Sequence, residues 1–102
     1  MSNFKTLVND IEHWAEERGI LEHSKPQAQL LKAVSEMGEL CDAEIKGMEY
    51  EQADAVGDVF VCLVIYCAMK DYDIEACLSQ AYAEIKNRKG KMVEGGAFVK
   101  DA

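Results

Sequence analysis

A chain of 102 residues with one proline and nearly half its residues apolar is sized for a single folded domain, and nothing in it reads as disordered. Its net charge of −8 repels phosphate backbones and anionic lipid, which excludes nucleic acid and membrane as broad-surface partners. A small anionic ligand stays admissible where a metal ion or a local basic cluster neutralises it.

Four cysteines, Cys41, Cys62, Cys67 and Cys77, form no CxxC pair and no Cys/His set with zinc spacing. They read as small buried hydrophobes in a reducing compartment. Residues 1–10 lack the apolar core of a signal peptide. The longest apolar run, 59–69, has 11 residues, against roughly 20 needed to cross a bilayer. The expectation is a soluble, cytoplasmic protein.

The hydrophobic period predicts four helices. The first spans about 4–18, capped by Ser2 or Asn3, with Phe4, Leu7, Val8, Ile11, Trp14 and Ala15 on one face. A loop over 19–25 follows. The second helix spans about 26–46, opened by Pro26 and stopped by Gly47. The third spans about 51–70 and the fourth about 74–89, the latter capped by Asp73 and ended by Gly90. The tail 90–102, with Gly95-Gly96 between short β-capable pieces, is a hairpin or an arm. The fold class expected is all-α. Because 59–69 carries no charge on any face, the third helix is expected to be buried all round, at a subunit interface where another chain completes a four-helix bundle.

The acids carry the chemistry. Glu36 and Glu39 are three apart on the second helix, and Asp54 and Asp58 are four apart on the third, with Glu51 one turn earlier. The short turn after Gly47 makes these helices antiparallel neighbours, and it puts Glu39 and Asp58 at one height. Crowded carboxylates raise each other's pKa, and a hard divalent cation relieves that cost. On a wheel, Glu36 and Glu39 lie away from the apolar stripe Leu30, Val34, Met37 and Cys41, as a solvated face would. The line Glu51, Asp54, Asp58 instead runs on into Cys62, Ile65 and Met69, which places Asp58 at the mouth of a covered region. Gly38 and Gly57, each inside a helix beside an acid, suit close helix approach or room for a ligand.

Lys32, Glu36-Met37-Gly38-Glu39-Leu40, Gly57-Asp58-Val59 and Ile85-Lys86-Asn87-Arg88 together resemble the MazG-like nucleoside triphosphate pyrophosphohydrolases. The tail 88–92 and 98–100 is similar to phage and prophage members, and the match spans about 27–100. The family's second acidic pair would put Glu three residues before Asp58; that position is Ala55, and Asp54 is the nearest acid. The resemblance implies an all-α dimer or tetramer that hydrolyses nucleoside triphosphate to monophosphate and pyrophosphate. It implies that Glu36, Glu39, Asp58 and Asp54 hold Mg²⁺, or Mn²⁺, with Glu36 and Glu39 as the catalytic acids and Glu39 a candidate base. Lys32 is a phosphate contact or an ordinary partner of Glu36. Lys86, Asn87, Arg88 and Lys89 are a triphosphate clamp, or favourable cations at a helix C-terminus. Trp14 is a base-stacking surface, with core packing the plainer reading. His13 and His23 are expected at the surface.

Two rivals stand beside this reading. A di-iron bundle needs Glu-x-x-His pairs, which the chain lacks. A non-catalytic helical oligomerisation module with a degenerate metal site is the other, and Ala55 is its main support.

Overall fold

A computed structural model of the chain describes residues 3–102. In chain order it contains α1 (Phe4–Glu17), α2 (Ile20–His23), α3 (Pro26–Lys46), α4 (Glu49–Met69), α5 (Ile74–Ile85), β1 (Gly90–Met92) and β2 (Phe98–Lys100). The protein is mostly helical, as expected, with one small hairpin. Of the two caps expected for α1, Ser2 lies outside the described residues. Asn3 serves: its side-chain oxygen accepts from the Thr6 N–H at 2.8 Å.

The expected loop over 19–25 contains a helical turn. Gly19 takes a left-handed φ of 76°, and α2 follows with Ile20 and Leu21 half-buried. A single turn is too short for a periodic signal, so sequence does not reveal it. At the other end, the last helix stops at Ile85 instead of 89. The basic residues beyond it turn into the hairpin, where Gly90 pairs with Lys100 and Met92 with Phe98. A Cβ at Gly90 would run into the backbone of the facing strand.

The α3–α4 hairpin is the frame. Gly47, at φ 68°, ends α3, and the Met48 N–H donates to the Ala43 carbonyl at 3.0 Å. Gln52 ties the turn from the far side, donating to Ala43 O at 3.3 Å and to Glu44 Oε2 at 2.8 Å. The two helices are therefore antiparallel and pack along their lengths. Helix α4 is central, because α1, α2, α3 and α5 all pack on it. Val64 and Cys67 form the core with Ile74 of α5, and Val8 and Ile11 of α1 lie against them.

Part of the burial expected for the third helix is met within the protomer. Cys62, Val64, Ile65 and Cys67 are buried within one protomer, by neighbours that a four-helix count understated. Helix α4 has 21 residues, and its best 18-residue stretch reaches a mean hydropathy of 1.6. By length and composition it could cross a bilayer; here it is the core helix of the fold.

The larger correction concerns α3. Its face against α4 is Gln29, Ala33, Glu36, Leu40 and Ala43, all buried or half-buried. Each member of the expected core stripe sits one residue later, about 100° further round. Leu30, Val34, Met37 and Cys41 are therefore exposed. Glu36 faces the neighbouring helix, and the large apolar residues face out.

Neither Gly38 nor Gly57 is needed for close approach, since an added Cβ at either meets nothing within 4 Å. Gly38→Ala is expected to stabilise the chain by about 1 kcal/mol through helix propensity alone. Urea unfolding with an unchanged m-value would show it. A loss of stability would mean that the outer face of α3 is crowded in solution.

Candidate functional site

Two of the four predicted acids, Glu39 and Asp58, act on a third, Glu36. Glu36 turns from α3 toward α4, and its Oε2 is buried with no hydrogen-bond partner. Its pKa is raised from the ordinary 4.5, first by a carboxyl-to-carboxyl hydrogen bond with Glu39, then by burial, then by the charges of Glu39 and Asp58. Lys32, one turn earlier on α3, acts in the opposite direction. Glu36, Glu39, Asp58 and Lys32 thus form one electrostatic cluster across the α3–α4 seam. A carboxylate oxygen that is buried without a donor is costly, and a cation beside it would remove that cost.

The phase of the two helices explains the convergence. Glu39 and Lys32 each precede a packed α3 residue by one position, and Asp54, Asp58 and Val61 do the same on α4, where Ala55, Val59 and Cys62 face α3. In an antiparallel pair, these flanks lie on the same side. Asp54 sits one turn from Asp58 and is not among the charges that act on Glu36. Among the described residues, no three acids are drawn close enough to form a ready metal sphere.

Beside the acids runs an open trough between α1 and α4. One part, about 480 Å³, is lined by Leu7, Ile11, Asp54, Gly57 and Asp58 among others. It continues past Trp14, Asp58 and Val61 into a slot holding Trp14, Gln29, Lys32 and Cys62. Trp14 is therefore a wall of this trough, 44% exposed, with the Arg18 guanidinium 5.8 Å from its ring centre. A separate hollow between the start of α1 and the α4–α5 turn holds none of the predicted site residues.

The basic segment does not join the acids within one protomer. Lys86, Asn87, Arg88 and Lys89 follow α5; among the described residues α5 packs only on α4, and the hairpin after them packs on no helix. Lys32 is the cation that acts on Glu36. His13 and His23 lie at the surface beside Glu17 at 3.0 Å and Glu22 at 3.6 Å.

Sequence reasoning missed Gln29 and Arg18. Gln29 is buried and donates to Ser24 Oγ at 3.1 Å, which closes the slot. Its signal was present in the spacing 29, 33, 36, 40, 43, a helical face of small and polar residues with Leu40 among them. Arg18 follows Trp14 by one turn, a spacing that permits cation–π contact without requiring it.

No family model and no solved structure matches the chain. It is similar to an uncharacterized 18.2 kDa protein, from the rep-hol intergenic region of Haemophilus phage HP1, at 38% identity over 73 residues. The match covers 72% of this chain and 45% of that phage protein, so the chain spans about half the length of the curated relative it matches.

Proposed function

We propose that this chain is a Mg²⁺-dependent nucleoside triphosphate pyrophosphohydrolase of the MazG-like kind, a homo-oligomer in which copies complete one another's helical bundle. The observation that carries the reading is the unpartnered, buried Glu36 oxygen, acted on by Glu39 and by Asp58, the last of which also lines the trough that Trp14 walls. A carboxyl in that position is suited to a divalent cation and a phosphate chain, and an aromatic wall nearby is suited to a base.

Glu36, Glu39 and Asp58 would hold Mg²⁺ or Mn²⁺, with Asp54 flanking them. The bound ion would neutralise the phosphate oxygens and lower the pKa of a water. Glu39, the exposed one of the three acids, would take the proton from a water that attacks the α-phosphorus. The bond to the β-phosphate bridging oxygen breaks, and pyrophosphate leaves with the electron pair. Lys32 opposes the charge of the acids and would contact phosphate in the filled site. Trp14 orients the nucleoside end, and Asp10 and Gln29 supply polar contacts along the trough. The basic segment 86–89 serves as a clamp only where a neighbouring copy brings it to the acids. The reading places the reaction in the cytoplasm, where nucleotides and Mg²⁺ are plentiful.

A panel of ribo- and deoxyribonucleoside triphosphates with Mg²⁺ tests this. Monophosphate and pyrophosphate are the expected products, and Glu39→Gln should lower turnover at least a hundredfold with the helical signal intact. Nucleoside diphosphate and orthophosphate as products would refute attack at the α-phosphorus.

A second reading has its own support. Ala55, where the family pattern has an acid, is 5% exposed and packed in the α3–α4 seam. A seam closed by a small residue suits a non-catalytic helical module in which the site has lost a ligand. In that case no nucleotide in the panel is turned over and Glu39→Gln changes nothing.

A further inference from the structure

Cys67 and Cys77 come together where α5 leaves α4. Cys67 lies within about one turn of the end of α4, and Cys77 within about one turn of the start of α5. The connection between them is held at both ends. The Tyr72 N–H donates to the Cys67 carbonyl at 2.8 Å, and the Asp73 carboxylate caps α5 by accepting from the Glu75 N–H at 2.9 Å. Ile74 and Cys67 belong to one packed core. Cys77 follows Ile74 by three residues, on the same face of α5.

The two thiols also act on each other. Burial raises the Cys67 pKa above its ordinary 9.0, and Cys77 raises it next, by charge and through a thiol-to-thiol hydrogen bond; Asp73 and Glu12 follow. Neither Cys41 nor Cys62 is among the groups that act on Cys67, and none of the acids proposed to hold metal is. The pair is unequal in access: Cys77 is exposed, whereas Cys67 is 8% exposed. Oxidant from solution therefore meets Cys77 first, and Cys67 keeps its proton until a neighbour reacts.

We propose that Cys77 and Cys67 form a peroxide-sensitive dithiol, in which Cys77 is oxidised first and Cys67 then closes a disulfide that ties α5 to α4. The Cys77 thiolate attacks one oxygen of a hydroperoxide. An S–O bond forms, the O–O bond breaks, and the leaving oxygen takes up the proton that Cys77 lost. Cys77 is then a sulfenic acid. Cys67 attacks the Cys77 sulfur, the S–S bond forms, and the S–O bond breaks. Hydroxide leaves and takes the Cys67 proton to become water. The two thiols together lose two electrons and two protons, and the peroxide is reduced by two electrons. A sulfenic acid beside a resolving thiol stays on the reversible part of the oxidation ladder, and a dithiol reductant restores both groups. The site is independent of the proposed hydrolysis, so a silent nucleotide panel leaves it standing.

The test is thiol mapping of the full chain after treatment with a small excess of hydrogen peroxide. Free thiols are blocked with a maleimide in denaturant and located by mass spectrometry of tryptic fragments. Two of the four thiols are expected to be lost, with an intact mass lower by two hydrogen atoms. A bond between Cys67 and Cys77 should join the peptides on either side of Lys70, and dithiothreitol should restore all four thiols. Cys67→Ser should stop Cys77 at a sulfenic acid that dimedone captures. Cys77→Ser, at an exposed position, should abolish the link and slow Cys67 oxidation to the rate of Cys62, which is 2% exposed. A Cys77 bond to Cys41, to Cys62 or to a second chain overturns the proposal. So does peroxide that oxidises Cys41 while Cys67 and Cys77 both stay free, or a Cys77→Ser chain whose Cys67 reacts as fast as before. Should Cys67→Ser unfold, the linkage map of the unmodified chain and the Cys77→Ser rate decide.

Discussion

Replacing Glu36 with glutamine is expected to raise the melting temperature of the metal-free chain at neutral pH, and to abolish the further rise that Mg²⁺ gives the unmodified chain. The carboxyl hydrogen bond to Glu39, burial, and the charges of Glu39 and Asp58 all raise the Glu36 pKa, so the fold prefers this group protonated. The unfolded chain titrates it near the ordinary 4.5. The stability it contributes is therefore fully present below that pH and is lost as pH rises through the raised folded value. Glutamine fixes the neutral state and can donate to the acids beside it, so the penalty above that range disappears. The same ionised group binds the cation in the proposed site, and Mg²⁺ at 100 times its Kd would shift the folded-to-unfolded ratio about a hundredfold. Thermal melts of both chains from pH 4 to 8, with and without Mg²⁺, read both effects at once. A variant less stable than the parent at pH 7, or one still stabilised by Mg²⁺, would show that Glu36 does not sit at the centre of this cluster.

Ile65→Ala is expected to be the most damaging single truncation, at about 2–5 kcal/mol. Ile65 is 3% exposed on α4 and lies against the slot that Trp14, Gln29 and Cys62 line. Domains of this size are stable by about 5–15 kcal/mol, so the loss takes a large share of the total. The melting midpoint should fall by roughly 10 °C or more. Ile85→Ala makes the contrast, because Ile85 is 50% exposed at the end of α5 and its removal should cost under about 1 kcal/mol. Urea denaturation of the pair measures the difference. Equal losses would mean that α5 is covered in solution and that its end is a second interface.

Much of the local structure was legible beforehand. Pro26, Gly47 and Asp73 mark helix ends because each acts through its own backbone or its nearest neighbours. The height of Glu39 against Asp58 followed from a two-residue turn and a fixed rise per residue. The one-turn α2 was not legible, since four residues cannot establish a period. The early end of α5 was not legible either. Residues 86–89 have no strong helix breaker, and it is the hairpin pairing from Gly90 onward that draws them out.

What the sequence determined by itself was therefore the set of elements, their antiparallel order, and the spacing that puts acids on two neighbouring helices at one level. Only the tertiary structure decided how α3 is rotated. The rule that the apolar stripe turns inward failed there, because two faces of that helix compete for α4. Ala33 and Ala43 are small, and Gln29, Glu36 and Leu40 fill the rest of the seam. Leu30, Val34 and Met37, about 100° further round, remain exposed.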